Sequence, residues 1–131
     1  KKNIVEYVNA GHTDLLYRKG KTGRVHIVNF KDDRPFKGTF LGIGALFSDY
    51  TPLKFKVSKE DILILYSDCL NESANTDMEE YGVEGILNAL KNAPYTSAQD
   101  ILSYIMKDFY SFIGRKNLND DLSIIILRRI K

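Results

Sequence analysis

The amino-acid sequence predicts an α+β fold in which helices pack against a mostly antiparallel β-sheet. Three observations support this prediction. β-rich segments fill the first half of the chain, apolar residues take helical spacing in the second half, and one more β-rich segment closes it. Strands followed by helices are typical of this fold class. With 131 residues, the chain has the length of one domain with its own hydrophobic core.

The first half of the chain contains three short β-rich segments. Residues 4–9 and 14–18 are separated by turn residues at positions 10–13, so we expect the two segments to form a β-hairpin. A second turn over residues 19–23 leads to residues 25–28. Apolar and polar side chains alternate there, which predicts a third strand.

Two more strands are predicted after a long irregular segment. Residues 29–50 contain Pro35 and several glycines and are predicted to be loop. Residues 53–57 alternate and should form a half-exposed strand. Residues 62–66 are apolar throughout, which indicates a buried strand.

Helices and a closing strand are predicted for the second half. Helical spacing of apolar residues over positions 83–90 indicates one helix. Ser97 with Asp100 three residues later is typical of a capped helix start, and Gly114 is a suitable stop. The helix between them has one apolar face, formed by Ile101, Leu102, Ile105, Met106, Phe109, Phe112 and Ile113. Residues 122–127 are predicted to form the last strand.

Composition limits the classes of partner and location. The net charge of +2 is too small to indicate nucleic acid or an anionic membrane as a partner. The single cysteine cannot form an internal disulfide, which fits a reducing, cytoplasmic setting. The apolar runs are too short to cross a bilayer, so we expect no membrane insertion by this segment.

Two predicted strands carry carboxylates at one end. Asp68 follows the strand at residues 62–66, and the pair Asp120–Asp121 precedes the strand at residues 122–127. If these strands are antiparallel neighbours, Asp68 and Asp120 meet at one edge of the sheet, where a cation would relieve their repulsion. Oxygen ligands of this kind suit Mg²⁺ or Mn²⁺. The alternative is that these aspartates are only turn residues, which are common at strand ends.

Five motifs, which follow one another along the chain, strengthen the metal hypothesis: NAGHTDLLYRKG, GTFLGIG, DILILYSDCLNES, EEYGVEGILNAL and NDDLSIIILRR. In this order they resemble motifs of the metal-dependent serine/threonine protein phosphatases (the PPM family). The similarity is closest to the bacterial branch typified by SpoIIE and RsbU, and it covers residues 9–128. The resemblance implies part of the α-β-β-α sandwich of that family.

The resemblance also implies roles for individual residues. Asp68 and Asp120 match metal-binding aspartates, and Asp121 and Cys69 are assigned supporting roles. In this family two divalent ions, Mn²⁺ or Mg²⁺, activate a water molecule that attacks the phosphoryl group. No catalytic residue is therefore expected beyond the metal ligands, and Cys69 has no base partner in sequence that would make it a nucleophile.

A second group of matched residues belongs to the turn that begins at Asn9. Asn9, Gly11 and His12 match the hairpin turn of the family, and we interpret all three as structural. Gly11 suits a turn that needs unusual backbone dihedral angles. His12 is expected to act through hydrogen bonding, although a catalytic role for it stays open.

Three departures from the family pattern affect the expected activity. The chain contains no Gly-Asp motif of the kind that supplies the family's bridging aspartate. We therefore expect residues 1–131 to be the carboxy-terminal portion of a phosphatase domain, inactive alone, with the amino-terminal metal-binding portion absent. Cys69 replaces a glycine that can serve a backbone angle unfavourable for cysteine. Phe40 stands where the family has proline.

The resemblance implies a protein phosphatase that acts on phosphoserine or phosphothreonine of an anti-anti-sigma (STAS-type) regulator in sigma-factor or stress signalling. One alternative is a degenerate, non-catalytic module that binds a regulatory partner, and another is a purely structural domain without metal. Because a partial sandwich exposes a sheet edge and an apolar face, we also expect a homodimer.

Overall fold

The computed structural model describes residues 3–30, 38–42, 50–114, 118 and 120–131. Six strands and three helices are found within these ranges. The strands are β1 (Ile4–Tyr7), β2 (Leu16–Arg18), β3 (Val25–Ile27), β4 (Leu53–Lys56), β5 (Ile62–Tyr66) and β6 (Ile124–Arg128). The helices are α1 (Asp68–Glu72), α2 (Gly82–Asn92) and α3 (Ala98–Ile113).

The strands form two sheets. A four-stranded sheet has the order β3-β2-β5-β6, and a two-stranded sheet contains β1 and β4. Every pair of neighbouring strands is antiparallel. Together with the helices, these sheets confirm the predicted α+β class.

The strand pairing differs from the prediction near the start of the chain. β1 pairs with β4, with Ile4 opposite Lys56, whereas β2 pairs with β3 and β5. The predicted hairpin between residues 4–9 and 14–18 is therefore wrong. The turn between them carries the chain from one sheet to the other. Turn residues and β propensity do not determine which sheet the next strand joins, because pairing depends on long-range packing.

β5 separates two hydrophobic cores, which explains its continuous apolar sequence. Ile62, Ile64 and Tyr66 lie in the core against the helices, while Leu63 and Leu65 lie in a second core against β1 and β4. A strand buried on both faces has no polar face to alternate with. The predicted buried strand is confirmed.

α3 begins and ends at the residues predicted from the sequence. The Ser97 hydroxyl accepts a hydrogen bond from the amide of Asp100, and Gly114 ends the helix in the left-handed conformation, with φ of 64°. The buried face of the helix contributes Ile101, Ile105, Phe109 and Ile113 to the helix-side core.

α1 was not predicted, because its five residues are too few for a periodic pattern. Of the predicted loop at residues 29–50, residues 31–37 and 43–49 lie outside the described part of the chain. In the ranges that are described, no helix has both the length and the apolar character needed to cross a membrane.

Candidate metal-binding site

The candidate site lies where β5 ends and β6 begins. Tyr66, the last residue of β5, pairs with Ile124, the first residue of β6. The pairing continues one step further, because the amide of Ser67 donates to the carbonyl oxygen of Ser123 at 2.9 Å. The segments containing Asp68 and Asp120 are therefore neighbours at one end of the four-stranded sheet.

Asp68 is the first residue of α1, and its side chain is exposed. Its Oδ1 accepts a hydrogen bond from the amide of Cys69 at 3.0 Å. This bond fixes one carboxylate oxygen against the helix start, where a negative charge is favoured by the helix dipole. The other oxygen, Oδ2, has no hydrogen-bond partner among the described residues.

Asp120 repeats this local arrangement on the neighbouring segment. Its side chain is exposed, and its Oδ1 accepts a hydrogen bond from the amide of Asp121 at 2.7 Å. Each of the two aspartates therefore has one oxygen held by the next backbone N–H and one oxygen available. Asp121 is also exposed, and its carbonyl oxygen accepts a hydrogen bond from the Ser67 hydroxyl at 2.9 Å.

Cys69 connects the two acidic segments. Its side chain is buried, and its Sγ donates to the carbonyl oxygen of Asp120 at 3.3 Å. Its backbone is helical, and the described non-glycine residues with positive φ are Glu60 and Met78. The position therefore needs no glycine, and the expected backbone cost of cysteine is not present. The buried thiol is placed as a hydrogen-bond donor and not as an exposed nucleophile.

The turn after β1 is built around Asn9, which is only 1% exposed. Its Oδ1 accepts from the amide of His12 at 2.8 Å, and its Nδ2 donates to the carbonyl oxygens of His12 and Thr13. Gly11 has φ of +78°, and a Cβ there would lie 2.7 Å from the ring of Phe40. Glycine is therefore favoured at this position by its backbone conformation, since the exposed ring of Phe40 is free to move away from an added Cβ.

Hydrogen bonding determines which nitrogen of the neutral His12 ring carries the proton. The Thr13 hydroxyl donates to the carbonyl oxygen of Tyr66, and its oxygen lies 3.0 Å from His12 Nδ1. Because a hydroxyl has one proton and a carbonyl only accepts, Nδ1 must donate to Thr13. Nε2 of the neutral ring is then an acceptor. The turn thus places an imidazole beside the end of β5.

The two aspartates line different cavities. Asp68 borders a cavity of about 540 Å³ together with the turn residues Gly11, His12 and Thr13. Asp120 and Asp121 border a second cavity, also of about 540 Å³, on the side of α3. The structure thus brings the backbones of Asp68 and Asp120 together while their side chains border separate openings.

The donor set partly fits a divalent cation. Mn²⁺ and Mg²⁺ are hard ions that bind carboxylate oxygens, and both aspartates offer an exposed oxygen. In the ranges that the structure describes, no group of three or more His, Cys, Asp or Glu side chains is placed to hold a metal ion. Asp68 and Asp120 therefore fit as two ligands of a larger set.

Tyr66 lines the Asp68 cavity as a neutral phenol. Burial, followed by the nearby charge of Asp14, raises the pKa of Tyr66 to about 12. The residue therefore contributes no charge to the cavity at neutral pH.

Ser67 and Thr13 belong to the site although sequence reasoning did not select them. Ser67 contacts residues 121 and 123 across the strand pair, and Thr13 contacts a carbonyl 53 positions later. The only feature of the sequence that could have indicated a role for Ser67 is its position directly before Asp68. No sequence signal indicates the contact of Thr13, because it depends on the pairing of β2 with β5.

Comparison with known proteins supports one family. The model of the family "Stage II sporulation protein E (SpoIIE)" matches residues 1–130. No curated protein sequence matches the chain significantly. The phosphatase domain of SpoIIE from Bacillus subtilis, presoaked with Mn, has a TM-score of 0.72 and 18% identity, covering 98% of this chain and 51% of that one.

Two other solved structures have the same fold. The SiaA PP2C domain of Pseudomonas aeruginosa has a TM-score of 0.74 and 16% identity, covering 97% of this chain and 47% of that one. The structure of the RsbU and RsbW domains of a Mycobacterium tuberculosis protein has a TM-score of 0.74 and 17% identity, covering 99% of this chain and 34% of that one. The chain spans about half the length of the SpoIIE phosphatase domain structure. By its family match and its fold, this chain belongs to the SpoIIE family of PP2C-type phosphatase domains.

Proposed function

We propose that this chain is the carboxy-terminal portion of a metal-dependent protein serine/threonine phosphatase domain, in which Asp68 and Asp120 bind Mn²⁺ or Mg²⁺. The observation that carries the proposal is the pairing of Tyr66 with Ile124, which puts the two aspartates at the same end of one sheet. Family membership supports the choice of reaction, since the matched family is one of phosphatases.

The residues of this chain would hold and orient the ions. Asp68 and Asp120 each present one oxygen that is held by a backbone N–H and one that is available. When bound, two such ions supply an activated water and neutralise charge on the phosphoryl group. No nucleophilic side chain is needed from this chain, which agrees with the burial of Cys69.

A further segment would supply the remaining ligands. The SpoIIE domain structure is about twice as long as the part that this chain matches. We infer that residues outside this chain complete the two-ion site, and that the chain alone has little or no phosphatase activity.

The proposed substrate is a phosphoserine or phosphothreonine on a small anti-anti-sigma (STAS-type) regulator in the cytoplasm. The support for this substrate is similarity to the SpoIIE and RsbU domains alone. Dephosphorylation of such a regulator would place the protein in sigma-factor or stress signalling.

A non-catalytic binding module is the second candidate function. It is favoured by one specific observation: among the described residues, the potential metal ligands do not form a group of three. Such a module would bind a phosphorylated regulator without hydrolysing it.

We also propose that the isolated chain forms a homodimer through β6. β6 lies at the edge of the four-stranded sheet, and Ile125 and Leu127 on it are 55% and 52% exposed. In register these residues lie beside Leu65 and Leu63, whose face is covered by β1 and β4. A second copy would cover the part of this face that the two-stranded sheet leaves open.

A phosphatase assay separates the two functions. The chain extended by the residues that precede it in its gene is assayed on a chromogenic phosphate ester with Mn²⁺. We expect activity that Asp68→Asn and Asp120→Asn each abolish. Asp77→Asn, a change at another exposed carboxylate, serves as the matched control and should keep the activity. An extended chain that binds Mn²⁺ but hydrolyses nothing would favour the binding module.

A further inference from the structure

We propose that Ser67 and Cys69, the residues on either side of Asp68, are positioning residues that set the spacing between Asp68 and Asp120. This inference rests on the proposed metal-binding function. The two ligands come from segments about 50 residues apart in the chain. Because divalent ions tolerate only small errors in ligand distance, these segments must be held in a fixed register.

Ser67 makes three hydrogen bonds to the segment that follows Asp120. Its amide donates to the carbonyl oxygen of Ser123, and its hydroxyl oxygen accepts from the amide of Ser123, both at 2.9 Å. The same hydroxyl donates its proton to the carbonyl oxygen of Asp121 at 2.9 Å. A single side chain thus both donates and accepts across the strand pair, at the point where regular pairing ends.

Cys69 makes the corresponding contact on the other side of Asp68. Its thiol proton has two candidate acceptors, the carbonyl oxygen of Asp120 at 3.3 Å and the Ser73 hydroxyl at 3.9 Å. The shorter contact is to Asp120. The Ser73 hydroxyl directs its own proton to the carbonyl oxygen of Cys69 at 2.7 Å. Glycine at position 69 would have no side chain to make this contact, so the cysteine adds a link to Asp120.

These backbone contacts determine where the carboxylates point. Asp68 Oδ1 is held by the amide of Cys69, and Asp120 Oδ1 is held by the amide of Asp121. Each carboxylate is therefore oriented by the backbone of the next residue in the chain. Since Ser67 and Cys69 hold the two backbones together, they set the spacing of the two backbone segments from which the carboxylates extend.

Mn²⁺ titration of the chain tests this inference, with binding followed by paramagnetic broadening of assigned amide resonances. We expect Ser67→Ala to weaken Mn²⁺ binding roughly 10-fold, as is usual when a residue that orients a metal ligand is removed. Ser67→Thr keeps the hydroxyl and should restore affinity to near the wild-type value. Ser103→Ala, a change at an exposed serine of α3, is the matched control and should have no effect.

Cys69 provides an independent variant in case Ser67→Ala unfolds. Cys69→Ala should weaken Mn²⁺ binding a few-fold, and Cys69→Ser should retain most of the affinity because a hydroxyl can donate to the same carbonyl. Circular dichroism of each variant establishes that it is folded. Hydrogen exchange at the Ser123 amide should accelerate in Ser67→Ala and stay slow in Ser67→Thr.

The outcomes separate this inference from the proposed function. If Asp68→Asn abolishes binding while folded Ser67→Ala and Cys69→Ala variants bind Mn²⁺ as tightly as wild type, the positioning role is wrong and the metal site stands. If Asp68→Asn and Asp120→Asn bind Mn²⁺ as wild type does, the metal site and the positioning role are both wrong.

Discussion

Tyr66 and Ile124 face each other across the last pair of the β5–β6 ladder. This relationship brings together the segments that adjoin the two residues in the chain. Two residues past Tyr66 lies Asp68, and four residues before Ile124 lies Asp120. The candidate site therefore results from the pairing of two hydrophobic strands, and its acidic residues occupy the positions where that pairing ends.

Asp61 should make the fold sensitive to acid. Its carboxylate is 2% exposed and accepts hydrogen bonds from the Tyr17 hydroxyl and from the amides of Ser58 and Gly20. Burial alone would raise the pKa of Asp61, but these hydrogen bonds outweigh burial and lower it. A lowered pKa in the folded state means that the stabilisation is present above the unfolded-state pKa of about 3.9 and is lost as the pH falls through the folded pKa.

Urea unfolding of Asp61→Asn measures this effect. At pH 7 we expect the variant to lose about 2 kcal/mol of unfolding free energy, because hydrogen bonds to a buried charged group are lost. The difference from wild type should begin to shrink below about pH 4, where Asp61 of the unfolded chain takes up a proton, and should keep shrinking as the pH falls through the lower pKa of the folded state. Asp77→Asn should leave the free energy unchanged at both pH values. A difference that stays constant with pH would show that the charge of Asp61 is not the source of the stabilisation.

Arg18 should stabilise the carboxyl end of α2. Its side chain is fully buried, and its Nη1 donates to the carbonyl oxygens of Leu90 and Ala93 at 2.7 and 2.8 Å. Its guanidinium lies 3.6 Å from the ring centre of Tyr95. Arg18→Met leaves two buried carbonyls without this donor, so we expect a loss of about 2 kcal/mol. Thermal unfolding measures it. A variant as stable as wild type would mean that the cost of burying the charge cancels these contacts.

His12 should have its neutral ring protonated on Nδ1. The Thr13 hydroxyl already donates to the carbonyl oxygen of Tyr66, so Nδ1 must be the donor in its contact with Thr13. Nitrogen chemical shifts of the neutral imidazole report the tautomer directly. Thr13→Val removes the acceptor and should shift the population toward protonated Nε2. A wild-type ring that is protonated on Nε2 would show that the hydrogen bonds run in the opposite direction.

The isolated chain should self-associate through β6. Ile125 and Leu127 are more than half exposed, so a charge at both positions should prevent a second copy from covering them. Sedimentation velocity at high protein concentration should show a dimer for wild type and a monomer for Ile125→Lys/Leu127→Lys. Met78→Lys, at a residue 83% exposed, is the control and should remain dimeric. A wild-type chain that stays monomeric would contradict the proposal and would favour another segment of the same polypeptide as the covering element.

Local sequence signals predicted much of the fold. The apolar run of β5, the Ser97 start of α3 and the Gly114 stop are all determined by residues close together in the chain. The pairing of β1 with β4 was not predictable in this way, since about 50 residues separate the strands and nothing local selects the partner. α1 escaped prediction because five residues are too few to show a helical period.

The candidate site was predictable only in outline. Carboxylates at two strand ends indicated where Asp68 and Asp120 would lie once the strands were neighbours. The contact of the Ser67 hydroxyl with residue 121 spans 54 positions, and no local pattern encodes it. No local pattern encodes the contact of the Cys69 thiol either. From the sequence, Cys69 was only a departure from the family's glycine, whereas in the fold its thiol donates to the carbonyl oxygen of Asp120.

Mn²⁺ binding by the chain tests the central claim most directly. Assigned amide resonances are monitored as Mn²⁺ is added, and the broadening of the Cys69 and Asp121 amides is compared. We predict that both amides broaden together at the same Mn²⁺ concentration, and that Asp68→Asn and Asp120→Asn each remove the broadening at both. Broadening that survives in either variant would show that the ends of β5 and β6 do not form one metal site.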